Sequence, residues 1–227
     1  MLPLGSFVST LLAAGGTLTG VVHLAHPPAA RPPLTVTQDA DACGANVPDE
    51  SLVVNAAGEV AHAIVFLEDP PETSVAPSAP PPSVKLDQKG CRFEPHVLAA
   101  QAGASLIAVN SDPVLHTVHA TGAHHRFAFD AAMPFEGAKK ALPLDRAGLF
   151  ELTCNAGHRW MHAWLRVFDH PYFAVTDAHG RFTLPPVPPG SYSLAVWQER
   201  LGARHLQVKV GDTPQKPIQI ELAPEAP

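Results

Sequence analysis

The chain has 227 residues, with 15 Lys and Arg against 21 Asp and Glu, a formal net charge of −6. That acidic balance excludes a nucleic-acid binder, which needs a basic face to neutralise phosphates. A hydrophobic fraction of 46% excludes global disorder, and 25 Pro with 16 Gly leave little room for long helices.

Residues 1–16 (MLPLGSFVSTLLAAGG) are apolar and end in small residues. They look like the h-region of a secretory signal, with Ala13, Ala14, Gly15 and Gly16 as a cleavage neighbourhood. No Lys or Arg precedes Arg31, so the basic n-region is missing; the alternative is a first strand. Gly16–Leu24 alternates apolar with small or polar residues, as a half-buried strand does. Ser51–Val54 and Ala63–Leu67 predict further strands. Residues 69–83 (DPPETSVAPSAPPPS) cannot pair inside a sheet and predict a surface loop.

Ser105–Asn110 is an aliphatic strand. In Gly148–Cys154, the period of two puts Phe150, Leu152 and Cys154 on one face. Ala163–Phe168 turns Ala163, Leu165 and Val167 one way. Arg181–Leu184, Ser191–Trp197, Leu206–Val210 and Ile218–Leu222 all alternate, with turns at 177–180 and 185–190. No helical period exceeds about two turns. Many short strands at this spacing predict an all-β protein of one or two sandwiches. The body of the chain holds no 18-residue apolar run, so no transmembrane span is expected in the mature protein.

Two stretches carry the chemistry: Asn110-Ser-Asp-Pro-Val-Leu-His116-Thr-Val-His119, and Cys154-Asn-Ala-Gly-His158-Arg-Trp-Met161-His162. A thiolate, two imidazoles and a weak thioether form a soft donor set suited to copper. His116, Cys154 and His158 would be equatorial and Met161 axial. His119 rivals His116 for its place but is expected rather behind the ligands or at the surface, and core packing is the alternative for Met161. His96 and His162 could join a second site. Asn110 and Asp112 read as turn-formers, with Asn110 and His119 in reach of the ligands. His124 and His125, in a Gly-containing loop, read as solvated.

Residues from about Cys91 to Phe168 resemble a cupredoxin, or blue copper, domain. The resemblance rests on Phe93-Glu-Pro-His96, the Gly103 turn, Asn110-x-Asp112, His116, and Cys154…His158…Met161. Within that superfamily the chain is similar to exported bacterial plastocyanin-like proteins of the methylamine-utilisation or carboxypeptidase-regulatory-like type. Those carry a PHV element, an HNVH element, a CDIHPWM loop and DHPYFAVTD. Here the loop has one more residue between Cys154 and His158, Arg159 stands in place of Pro, and Thr117 in place of Asn. That Asn ties the ligand loops together in the family. The ends of the chain resemble a transthyretin-like, carboxypeptidase-regulatory sandwich, through Thr176-Asp-Ala-His-Gly-Arg-Phe-Thr-Leu184 and Pro188-Pro-Gly-Ser-Tyr-Ser-Leu-Ala-Val-Trp197.

The implied organisation is a candidate signal at 1–16 and outer-sandwich strands in 17–84. A cupredoxin Greek-key sandwich follows over 85–169, and the outer sandwich is completed by 170–227. Three cysteines in an exported chain leave one unpaired after one disulfide. With Cys154 on the metal, Cys43 and Cys91 remain to pair; otherwise both are free buried thiols.

No G-x-S-x-G, phosphate-cradling Gly loop or H-E-x-x-H occurs. The expectation is therefore a non-enzymatic, periplasmic or extracellular protein with one mononuclear copper site, working in one-electron transfer. Its partners would be redox proteins docking near the exposed ligand loop around Trp160. The rival readings are copper storage or delivery without turnover, and a non-redox adhesion or carbohydrate-binding module.

Overall fold

The fold is taken from a computed structural model of the chain, which describes residues 15–26, 31–71, 80–123, 126–211, 213 and 215–223, with backbone alone at 126 and 127. Nearly all of the expected signal segment, the centre of the Pro-rich loop, and His124 and His125 lie outside the described residues.

The protein is all-β, and its sheets stack in layers. The first sheet joins β1 (Thr19–Leu24) to β15 (Arg181–Thr183) and β18 (Ile218–Leu222), in the order β15-β1-β18. The second has the order β14-β4-β16-β17, built from β4 (Ile64–Leu67), β14 (Phe173–Val175), β16 (Gly190–Gln198) and β17 (Gly202–Val210). Their facing sides enclose one core that includes Val22, Val65, Leu67, Phe182, Leu194, Val196 and Ile220.

The third sheet runs β10-β9-β12-β13-β7. Its strands are β7 (Val97–Gln101), β9 (His116–Gly122), β10 (Arg126–Met133), β12 (Gly148–Thr153) and β13 (His162–Phe168). The fourth runs β11-β8-β5-β6, from β5 (Val84–Gln88), β6 (Phe93–Glu94), β8 (Ser105–Asn110) and β11 (Lys139–Pro143). Between these two sheets lies a second core, with Leu86, Leu106, Val118, Leu152, Met161 and Leu165 among its residues. This half is a β-sandwich of a five-stranded and a four-stranded sheet.

The strand patterns follow from these layers. β8 buries alternate residues, as a strand with one dry face must. All four residues of β4 are buried. Val65 and Leu67 enter the first core, while Ile64 and Phe66 enter a third cluster with Val97, Phe168 and Ala195. That cluster glues the second sheet to β7 and β13 of the third. There Trp164 meets Trp197 edge-on at 5.3 Å, and the Arg166 guanidinium lies 4.2 Å over the Phe66 ring. Gly20 lets β1 pass through a crowded spot: a Cβ there would collide with the Ile218 carbonyl and the Phe182 ring.

Two expectations need correction. Ser51–Val54 forms no strand; only Val54 bridges, to Val60. The segment after β1 is not wholly outer-sandwich. Residues 34–47 form a short pair, β2 (Leu34–Thr35) with β3 (Asn46–Val47), around a four-residue helix α1 (Ala40–Cys43). Val36, Cys43 and Val47 bury themselves in the second core. A disulfide from Cys43 to Cys91 fixes this segment there.

Candidate metal centre

Cys154, His158 and Met161 lie on the connection between β12 and β13, which is closed by the Thr153–His162 pair. His116 begins β9, the strand beside β12, and pairs with Met133 on its other side. The sheet thus brings the upstream His to the mouth of the hairpin loop. His116 and His158 are completely buried, Met161 nearly so, and Cys154 is a buried free cysteine.

Three donor atoms converge. Cys154 Sγ lies 3.9 Å from His116 Nδ1 and 3.7 Å from His158 Nδ1, and the two Nδ1 atoms are 2.9 Å apart. The circumradius of a triangle with those sides is about 2.1 Å, within the range of metal–nitrogen and metal–sulfur bonds to a single ion. Met161 is tied to the same loop by its N–H, which donates to the His158 carbonyl at 2.9 Å.

Each imidazole is held from behind. His116 Nε2 lies 3.1 Å from Asp112 Oδ2, and His158 Nε2 lies 2.8 Å from Asp39 Oδ2. A carboxylate behind Nε2 calls for a proton there, which leaves Nδ1 as a lone pair. Two such lone pairs 2.9 Å apart, beside a sulfur, repel unless a cation lies between them. The donor set therefore fits a soft metal ion. Burial pushes the His116 imidazole below its usual value against the opposing pull of Asp112, which favours the neutral, ligating form.

The supports are themselves anchored. Asp112 accepts from the Gly90 and Cys91 amides at 2.7 and 2.8 Å. Asn110 accepts from the Asp112 amide and donates to the Val114 and Met133 carbonyls, fixing the turn before His116. Thr117 links the two ligand stretches. Its amide donates to Cys154 Sγ at 3.3 Å, and its hydroxyl accepts from the Asn155 amide at 2.7 Å. A Thr here does the tying that the resemblance assigns to Asn.

Asp39 comes from the 31–47 segment. Its left-handed backbone, φ 53°, is one that Asp tolerates better than most residues. Beside it, Gln38 donates to the Ala156 carbonyl at 3.0 Å. Gly157, at φ 102°, lies so close that a Cβ would overlap the Gln38 amide.

Trp160 does not sit where the sequence puts it, and His119 is a group of the outer strand face rather than a rival ligand. His119 faces the opposite side of β9 from His116 and pairs with Asp130 at 3.6 Å. Trp160 is not the exposed docking residue expected: it is nine-tenths buried, and its indole N–H donates to the Cys91 carbonyl at 3.0 Å. His96 and His162 lie together elsewhere, with Glu199. Sequence reasoning missed Asp39 and Asp112 as supports. Asp112 had a signal, a carboxylate four residues before a ligand His; Asp39 had none.

No protein-family description matches the chain, and no curated protein does. Among solved structures, a methionine-to-alanine mutant of amicyanin in its Cu(I) form is 18% identical. The match covers 45% of this chain and 97% of that one, with a TM-score of 0.34. A purple cupredoxin from Nitrosopumilus maritimus is 14% identical over 37% of this chain and 99% of that one, TM-score 0.33. The copper-containing nitrite reductase of Thermus scotoductus SA-01 is 20% identical over 45% of this chain and 26% of its own, TM-score 0.33.

Proposed function

We propose that this is an exported copper protein that carries single electrons, in which His116, Cys154, His158 and Met161 would hold the metal. The observation that carries the reading is the buried triangle of one thiol and two back-held imidazoles. Copper bound there would supply exchange between Cu(II) and Cu(I). Asp112 and Asp39 hold the imidazole protons at Nε2 and fix both ring planes, so the donor set is preorganised and changes little between the two states. The Thr117 amide, pointed at Sγ, favours the thiolate.

A carrier fits this site better than an enzyme, because a catalytic metal keeps an open position for substrate and here both imidazoles are sealed from solvent. Sealing also disfavours ready delivery of the ion. The Cys43–Cys91 disulfide supports an oxidising, periplasmic or extracellular compartment. Among the described residues no helix is long and apolar enough to cross a membrane. The same reading treats 85–169 as the copper domain, set between the outer-sandwich strands of 17–84 and 170–227, with residues 34–47 serving the copper domain. Partner redox proteins would dock beside Leu115, which is 47% exposed and precedes ligand His116.

Voltammetry on the copper-loaded protein tests the reading. A reversible one-electron wave with fast exchange is expected, and Met161→Leu should keep the copper but raise its potential, since the thioether helps stabilise Cu(II). Bound copper that shows no reversible wave would rule out the carrier.

A further inference from the structure

A second cluster of ligating groups lies where the two sandwiches meet. His96 stands between β6 and β7, and His162 opens β13; both belong to the cupredoxin-like half. Glu199 follows β16, in the other sandwich. One atom from each of the three lies within 4.8 Å of the others. The His96 and Glu199 side chains are only 4% and 6% exposed, and His96 Nε2 is 2.7 Å from Glu199 Oε2. The His96 and His162 rings meet edge-on at 5.0 Å, and the His62 ring lies 5.8 Å from His96.

We propose that His96, His162 and Glu199 bind a divalent first-row cation, Zn2+ for preference, which fastens the two sandwiches together. Two imidazoles and a carboxylate are a common three-ligand set for such ions, with water free to take a fourth position. A structural His–Glu pair would account for His96 and Glu199, but not for the two further imidazoles beside them. His62 Nδ1 is buried and has no hydrogen-bond partner. Leaving such a buried atom unsatisfied is costly, and a water held by the cation would give it a partner. The carboxylate is held in place by its turn: Gln198 donates to the Ser51 carbonyl at 2.7 Å and accepts from the Arg200 amide at 2.8 Å.

The site shares no ligand with the thiol centre, although His162 is the residue after Met161. A small cavity is lined by His96, Trp160, Met161 and His162. Its test therefore removes the first centre. The full chain carrying Cys154→Ser is titrated with Zn2+, reading bound metal by elemental analysis after dialysis and the thermal midpoint by circular dichroism. One bound equivalent and a higher midpoint are expected, because an ion that binds only the folded state stabilises it.

In that background, His162→Asn and Glu199→Gln should each weaken Zn2+ binding by about tenfold or more, at least the loss seen when an outer support of a metal site is removed. Neither should move the zinc-free midpoint far, because His162 is only partly buried and Gln keeps a hydrogen bond to His96. His116→Asn in the same background should leave zinc uptake unchanged. No uptake, uptake indifferent to both substitutions, or uptake lost with His116→Asn would each overturn the assignment.

Discussion

The carboxylate of Asp39 lies 2.8 Å from Nε2 of His158, although 119 residues separate the two in the chain. The contact turns an N-terminal excursion into part of the metal centre. Hydrogen bonds, first from His158 and then from Gln38, hold the Asp39 carboxyl below its usual value, so it is charged at neutral pH. Asp39→Ala frees the back of the imidazole and opens its edge to water. Copper affinity should fall about tenfold or more. Competition with a chelator of known affinity measures it, and an unchanged affinity would mean that Asp39 does not position His158.

The disulfide from Cys43 to Cys91 holds the segment that carries Asp39. Intact mass without reduction should find these two linked and Cys154 free. Replacing both with Ala should cost on the order of 3–4 kcal/mol, from the entropy of the 48-residue loop no longer closed in the unfolded chain. Urea unfolding of the oxidised protein and the double variant measures the difference. A loss below about 1 kcal/mol would contradict a clip that restrains the unfolded chain.

Gly20 tests whether the outer sandwich and the copper centre stand independently. Gly20→Ala forces a methyl against the Ile218 carbonyl and the Phe182 ring. Overpacking of this kind costs about 1–3 kcal/mol. The thermal midpoint should drop, while copper uptake at 25 °C stays intact because β1 packs in one core and Cys154 and Met161 in another. Loss of copper binding with the fold retained would show that the two halves are coupled.

How much of this was legible in the sequence depended on burial geometry. Ser105–Asn110 and Ile218–Leu222 announce themselves because one face is dry and the other wet, so the alternation is written into the residues. Val97–Gln101 does not, because β7 packs Leu98 and Ala100 into one core and Val97 and Ala99 against another. With both faces covered there is no period to see. β9 and β10 were missed because His, Thr, Ala and Gly in the first and Asp and Ala in the second dilute the pattern. The donor residues of the centre were visible because chemistry restricts them to a few side chains at close spacing. Asp39 was not, because nothing local to an exposed aspartate announces a partner 119 residues away. Trp160 misled for a similar reason: its exposure depends on the Cys91 segment that covers it.

Acid should weaken the tether of the 31–50 segment. Asp49 pairs with Arg31 at 2.6 Å and accepts from the Ser51 amide at 3.0 Å. Burial alone would raise its value, but the bonds from Ser51 and Arg31 outweigh it and lower it to about 2. A depressed carboxylate stabilises the fold above its unfolded value of about 3.9. That stability is lost as pH falls from there towards 2. Allowing for solvent screening of the pair, Asp49→Asn should cost on the order of 1 kcal/mol at pH 6 and markedly less at pH 3. Urea midpoints at the two pH values give the comparison, and an equal cost at both would refute the ion pair.

The central claim is that Cys154 shares one copper ion with His116 and His158. Titration of the metal-free protein with Cu(II), followed by visible absorption, tests it most directly. One equivalent should produce an intense thiolate-to-copper charge-transfer band, lost in Cys154→Ser and kept in His162→Asn. If the unaltered protein bound Cu(II) without that band, or Cys154→Ser kept it in full, the thiol would not be a ligand and the account would fail.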